Sequence, residues 1–88
     1  MSWTIRFSKR AENYLKKLDR KSSVNILNKI SKLKDNPWAL PYKKLRGHED
    51  FYRIRIGDFR VIYHVDKKIN EIHIARIEKR SKAYRNIK

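Results

Sequence analysis

The residues whose chemistry is easiest to place are three arginines. Arg53 and Arg55 alternate with apolar residues in Phe51-Tyr52-Arg53-Ile54-Arg55-Ile56, and Arg60 lies in Phe59-Arg60-Val61-Ile62-Tyr63. Gly57-Asp58 separates the two runs and predicts a two-residue hairpin turn, which fixes a register. Ile56 then pairs with Phe59, Arg55 with Arg60, Ile54 with Val61, Arg53 with Ile62 and Tyr52 with Tyr63. Directly opposed residues share a face. Tyr52, Ile54, Ile56, Phe59, Val61 and Tyr63 therefore form a core face. The other face carries Arg53, Arg55, Arg60 and Ile62, with Phe51 and His64 at its edge. No acid is expected nearby, so Arg55 opposite Arg60 costs on the order of 0.2–1 kcal/mol. The guanidinium is a rigid fork of donors that fits phosphate oxygens. One such arginine reads as a solvated side chain; three converging by register read as a phosphate-binding floor.

Further basic residues extend this surface. Lys79-Arg80-Ser81-Lys82-Ala83-Tyr84-Arg85 adds charge and a tyrosine. Tyr84 can stack on a base, a contact worth roughly 1–3 kcal/mol, or exchange a proton, or tuck into the core. Lys44 and Arg46, beside the Gly47-His48-Glu49-Asp50 turn, can contribute cations or be plain solvated residues. Other chemistries find little support. His48, His64 and His73 lack metal-ligand spacing, and with no cysteine a zinc site is not expected. The nine acids are scattered, against a two-metal nuclease. No glycine-rich phosphate loop is present, and Ser8 and Ser22 read as helix caps rather than nucleophiles. Neither metal nor cofactor is expected.

The charge balance agrees with a polyanionic partner. Twenty-four Lys and Arg against nine Asp and Glu give a net charge of +15 on 88 residues. Self-repulsion on so small a body opposes folding. Nucleic acid suits that charge best, then an acidic protein, then an anionic membrane surface, while a merely soluble basic protein is the plainest alternative. Residues 1–88 fit a single domain. No apolar run reaches membrane-spanning length, the N-terminus lacks the long apolar stretch of a signal peptide, and the cytoplasm is the default compartment. Ten aromatics and periodic Ile and Leu argue against disorder.

These residues need a scaffold. Trp3, Ile5 and Phe7 alternate with Thr4 and Arg6 and predict a strand over residues 2–7. Ser8 fits an N-cap, and Ala11, Tyr14, Leu15 and Leu18 predict a helix over 9–19. Asp19 or Ser22 can cap a second helix over 21–35, whose stripe is Val24, Ile26, Leu27, Ile30 and Leu33 and which Asn36-Pro37 ends. About three residues between them predict an antiparallel helical hairpin. An apolar loop at 37–41 follows. Strands are then expected over 43–46, 51–56, 59–66 and 71–77, with a short C-terminal helix carrying Ala83, Tyr84 and Ile87. The order β-α-α-β-β-β-β indicates an α+β fold: an antiparallel sheet with the hairpin on one face and the other face open.

Lys44-Leu45-Arg46-Gly47, Tyr52-Arg53-Ile54-Arg55, Phe59-Arg60-Val61-Ile62-Tyr63 and the closing Lys79-Arg80 and Tyr84 together resemble the RelE/ParE superfamily of type II toxins, most closely the RelE branch. The resemblance spans nearly the whole chain. It implies a small, metal-independent endoribonuclease that cuts messenger RNA in the ribosomal A site, the ribose 2′-hydroxyl attacking the adjacent phosphate. It also implies an acidic RelB-like antitoxin that wraps the toxin over the helical hairpin and the sheet edge, with a toxin–antitoxin heterotetramer as one assembly. By position, Arg60 and Arg80 match phosphate-gripping arginines, Tyr84 the C-terminal tyrosine that stacks or transfers a proton, and Arg46 an RNA contact. Arg53 and Arg55 stand where well-known members carry lysines, and Lys79-Arg80 where many relatives have His-Arg. Lys44, Lys79, Lys82 and Arg85 complete the expected RNA-binding set. Since arginine is a poor base, the general base stays open between Tyr84 and, less well placed, His64. A ParE-like inhibitor of DNA gyrase and a non-catalytic RNA- or ribosome-binding module remain the competing readings.

Overall fold

A computed structural model of the chain describes residues 2–47 and 49–80. The element order is β1 (Thr4–Phe7), α1 (Lys9–Lys17), α2 (Arg20–Ser31), a 3₁₀ turn (Lys32–Lys34), β2 (Tyr42–Lys44), β3 (Phe51–Ile56), β4 (Phe59–Asp66) and β5 (Glu71–Lys79). This is the expected α+β order. The expected C-terminal helix lies outside the described residues.

Two caps start the helices. Ser8 Oγ accepts from the Ala11 N–H at 3.0 Å, and Asp19 Oδ2 accepts from the Ser22 N–H at 3.0 Å. Asp19 is thus the cap of α2, and Ser22 is its third helical residue rather than a cap. Leu18 and Asp19 make up the whole connection between the helices. With so short a link the chain must reverse at once. α1 packs across β5 and β1, and α2 against β3. Ala11, Ile26, Ile30 and Leu33 are fully buried between the layers. The apolar stripe of α2 is narrower than its sequence suggests: Val24 and Leu27 are 44% and 42% exposed.

The strands form one sheet in the order β1-β5-β4-β3-β2. β2 to β5 make an antiparallel meander, and β1 joins the far edge parallel to β5, so the sheet is mixed rather than wholly antiparallel. The β3–β4 register matches the hairpin expectation at every pair, from Phe51 opposite His64 to Ile56 opposite Phe59. Gly57 takes φ +58°, a left-handed conformation that L side chains resist, so glycine holds the turn.

One irregularity decides what β5 presents. Val61 pairs with Ile77 and Ile62 with Arg76, but Tyr63 pairs with Ile74, which leaves Ala75 as an extra residue in a β-bulge. Without it, Arg76 and Glu78 would follow Ile72 and Ile74 onto the helix side. The bulge turns Ile77 inward and both charged residues outward. Ser8 holds the kink in place, its Oγ donating to the Ala75 carbonyl at 2.8 Å and its N–H to the Ile74 carbonyl at 2.9 Å.

The core lies between the helices and the inward rows of the sheet. Tyr52, Ile54, Ile56, Val61, Tyr63, Val65, Ile72, Ile74 and Ile77 are all buried. The loop after the 3₁₀ turn seals the β2 side. Trp38 meets Trp3 and Tyr52 edge-on at 6.3 and 6.1 Å. Tyr63 O–H donates to the Pro37 carbonyl at 2.7 Å, and burial raises its phenol pKa.

Candidate nucleic-acid interface

The face of the sheet away from the helices holds the arginines. Strand pairing orders it into cross-sheet rows. One row is Arg55, Arg60 and Glu78; the next is Lys43, Arg53, Ile62 and Arg76; a third is Phe51, His64, His73 and Arg6. Arg53, Arg55 and Arg60 therefore share one surface that no described helix or strand covers, as the hairpin register requires. A groove of about 370 Å³ runs between Arg53, Arg55, Lys43, Tyr42 and Pro41 at the β2 edge.

The electrostatics differ from expectation in one respect. Glu78 sits within the arginine face. Its Oε1 is 3.5 Å from Arg60 Nη1 and its Oε2 is 3.4 Å from Arg76 Nε. It offsets part of the repulsion between Arg55 and Arg60. It does not fill the donor capacity of Arg60, whose Nε is buried and has no hydrogen-bond partner. A buried guanidinium donor left unpaired costs roughly 1–3 kcal/mol or more, and binding of an oxyanion would recover it.

The remaining expected site residues divide. Arg46 is exposed in the β2–β3 turn. Lys44 pairs with Tyr52 and Lys79 with Phe59, which places both on the helix side and not with the arginines. The physical reason is the side-chain period of two: a one-residue offset changes face. Arg80 follows β5, and its N–H donates to the Asp58 carbonyl at 2.7 Å, which fixes its backbone beside the β3–β4 turn, at the Arg55–Arg60 end of the sheet. Tyr84, Lys82 and Arg85 lie outside the described residues.

Lys43 and Arg76 join the surface without having been anticipated. The four-residue turn before β3 left the β2 register open, so Lys43 and Lys44 could not be told apart. The placement of Arg76 depends on the bulge. Its signal was the broken spacing Ile72, Ile74, Ile77, which an unbroken strand cannot satisfy.

On the third row, ring centroids are 4.8 Å apart for Phe51–His64 and 5.8 Å for His64–His73. Glu71 accepts from Arg6 Nε at 3.0 Å and lies 2.8 Å from His73 Nε2. The hydrogen bond with His73, then that with Arg6, lowers its pKa. Among the described residues no group of three or more His, Asp or Glu could hold a metal ion, and no helix is long and apolar enough to cross a membrane.

A two-helix layer on a five-stranded sheet with an open cationic face defines the class, and the sequence comparisons define the family. The model of the ParE toxin of the type II toxin–antitoxin system parDE matches residues 5–84. "Putative toxin RelE1" of Methanocaldococcus jannaschii is 35% identical over 89 residues, covering 98% of this chain and 99% of its own. A RelE-like toxin protein of Escherichia coli is 31% identical over 94% of this chain and 88% of its own. Among solved structures, RelE in the RelE–RelB complex of Pyrococcus horikoshii superposes with a TM-score of 0.79 at 29% identity, covering 93% of this chain and 99% of that one. The chain belongs to the ParE toxin family of type II toxin–antitoxin systems, within the RelE/ParE superfamily, and is a toxin of the RelE type. The family model carries the ParE name, but the full-length relatives and superposed structures carry RelE, and full-length identity is the finer discriminator.

Proposed function

We propose that this toxin is a cytoplasmic, ribosome-dependent endoribonuclease that cleaves messenger RNA in the A site without a metal. The observation that carries the reading is the convergence of Arg53, Arg55 and Arg60 on one face of the sheet, opposite the helices, with the Arg60 Nε buried and without a hydrogen-bond partner.

In this reading the ribose 2′-oxygen bonds to the adjacent phosphorus as its proton leaves, and the bond from phosphorus to the 5′-oxygen breaks. The products are a 2′,3′-cyclic phosphate and a 5′-hydroxyl, which takes up a proton. Charge builds on the non-bridging oxygens between these events. Arg60 grips the phosphate, Arg53 and Arg55 stabilise the gathering charge, and Arg80 closes the site from the β3–β4 turn. Preorganised donors of this kind commonly supply the largest share of a rate enhancement, about 10²–10³-fold for each donor. Arg46 holds the strand outside the site. Tyr84 is the proton-transfer or stacking residue. His64 is the weaker base because it lies four residues along β4 from Arg60, about 13 Å at strand rise.

An acidic RelB-like antitoxin is the proposed partner. Related toxins were solved as RelE–RelB complexes from Pyrococcus horikoshii and RelBE2 from Mycobacterium tuberculosis. Here the exposed Val24 and Leu27 of α2, and a groove of about 260 Å³ lined by Ile5, Phe7, Leu27 and Ile30, offer an apolar seat in a strongly basic body.

The test is in vitro translation with purified toxin, followed by primer extension on the message. Discrete cuts within codons, present only with ribosomes, are expected. Uncut message with stalled translation would replace the nuclease with a binding module. Intact translation with loss of DNA supercoiling by gyrase would favour the ParE-like reading that the family model's name suggests.

A further inference from the structure

Glu78 is the acid in a row of arginines. It stands opposite Arg60 on β5, and Arg60 stands opposite Arg55 on β3. Its Oε1 lies 3.5 Å from Arg60 Nη1 and its Oε2 3.4 Å from Arg76 Nε. Both contacts are longer than the roughly 2.7–2.9 Å of a charge-assisted hydrogen bond, so the carboxylate oxygens keep capacity to accept a proton. The side chain is 36% exposed. Asp66 and Glu71 face the same side, but they stand opposite each other in the row farthest from Arg60, about 20 Å along β4. Glu71 is also committed to Arg6 and His73, at 3.0 and 2.8 Å. Among the described residues, the carboxylate beside the Arg60 guanidinium is that of Glu78.

Charge balance is the plain account of an acid here, since Glu78 offsets part of the repulsion between Arg55 and Arg60. That role works against the task of the face. A carboxylate repels the phosphate that the arginines attract, so a surface made only to hold RNA would bind more tightly with a neutral residue at position 78. The acid reaches this side through a specific device: the bulge at Ala75, whose carbonyl Ser8 holds, turns Glu78 outward. What a cluster of arginines lacks is a base, because a guanidinium does not give up its proton. An ionised carboxylate accepts one. A general base must lie within hydrogen-bond reach of the group it deprotonates, directly or through one water. A phosphate oxygen held about 2.8 Å from Arg60 brings the adjoining 2′-hydroxyl into that reach of a carboxylate 3.5 Å from the same guanidinium.

We infer that Glu78 is the general base that takes the proton of the attacking 2′-hydroxyl while Arg60 holds the scissile phosphate. The inference rests on the nuclease reading and supplies the group that reading leaves open. The 2′-oxygen bonds to phosphorus as its proton passes to a Glu78 carboxylate oxygen, and the bond from phosphorus to the 5′-oxygen breaks. Glu78 then returns its proton to water. Tyr84 is left to stack on a base or to protonate the departing 5′-oxygen. Arg76, on the other side of the carboxylate, holds it in place from the adjoining row.

The test is single-turnover cleavage of message on programmed ribosomes by the full-length toxin, from about pH 6 to about pH 8, with circular dichroism to confirm that each variant is folded. Glu78→Gln, which keeps shape and hydrogen bonding but cannot take up the proton, should cleave about 10²–10⁴-fold more slowly near pH 7. The toxin concentration at half-saturation should stay the same or fall, because a charge that repels phosphate is gone. The pH profile separates a base from a structural acid. Wild type should be nearly level. In Glu78→Gln the proton must leave to hydroxide, so the rate should climb by about tenfold per pH unit and the deficit shrink accordingly. Glu78→Asp, whose carboxylate is set back by one methylene, should recover part of the rate and the level profile. A loss in Glu78→Gln that is equal at every pH, or a shift of half-saturation to higher toxin, means that Glu78 only steadies Arg60 and overturns the inference. If wild type cuts and Arg60→Ala does not, yet Glu78→Gln keeps the wild-type rate, this inference alone falls. If wild type does not cut, the nuclease reading falls and takes the inference with it.

Discussion

The two faces of the β3–β4 hairpin are built from alternate residues of the same strands, and they obey opposite rules. Toward the helices stand Tyr52, Ile54, Ile56, Val61 and Tyr63, all buried. Toward the open side stand Arg53, Arg55, Arg60, Ile62 and His64, all at least partly exposed. The inward set is what folding asks for: apolar area removed from water, with the Tyr63 hydroxyl satisfied by the Pro37 carbonyl. The outward set opposes folding. It places Arg55 against Arg60 and leaves the Arg60 Nε unpaired. A sheet face that gives up stability while its neighbour 180° away maximises it is the signature of a binding surface.

That contrast can be broken in both directions. The largest effect is expected from Arg60→Ala, which should lower cleavage by about 10²–10³-fold while leaving the fold and antitoxin binding intact. Its melting temperature should match or exceed that of wild type, because a like-charge pair and an orphaned donor go together. A variant that loses activity by unfolding would erase the distinction between the faces. The mirror experiment is Ile54→Ala, between Arg53 and Arg55 on β3 but pointing inward and 1% exposed. It should cost about 2–5 kcal/mol, a drop of roughly 10 °C or more in a domain of this size. The protein that remains folded at low temperature should cleave with near wild-type kcat. Thermal denaturation beside a cleavage assay reads both halves of the comparison.

The inward face was legible in the sequence because apolar periodicity is a local property and Gly57-Asp58 pinned the register. The same register delivered Arg53, Arg55 and Arg60. What escaped was set by non-local geometry. Lys44 and Lys79 fell on the helix side because their strands end in turns or run past the bulge, where a single-residue offset changes face. Glu78 and Arg76 reached the arginine surface only because Ala75 is bulged and Ser8, sixty-seven residues earlier, holds its carbonyl. The parallel docking of β1 on β5, and the exposure of Val24 and Leu27, also depend on how layers meet rather than on any local pattern.

The smallest expected effect separates the two layers by pH. Each carries one carboxylate held below its usual range. In the helical layer it is Asp19, lowered first by the hydrogen bond from Ser22 at the start of α2. On the open face it is Glu71, lowered first by His73 and then by Arg6. A depressed carboxylate binds fewer protons folded than unfolded, so stability rises with pH between the folded and unfolded values. The contribution is complete above the ordinary carboxylate pKa of about 4 and disappears as pH falls through the folded value. Asp19→Asn keeps a cap oxygen for the Ser22 N–H but removes the titration, so it should lose little at pH 7 and flatten the acid limb of melting temperature against pH. It should do so at any salt, because hydrogen bonds from Ser22, its side chain first and then its backbone N–H, govern Asp19. Glu71→Gln should flatten the limb as well, but by an amount that shrinks with added salt, since its partners are exposed cations. Equal salt dependence in the two variants would mean that the helix cap and the open-face ion cluster respond to the same field, and that the layers are less independent than their side chains indicate.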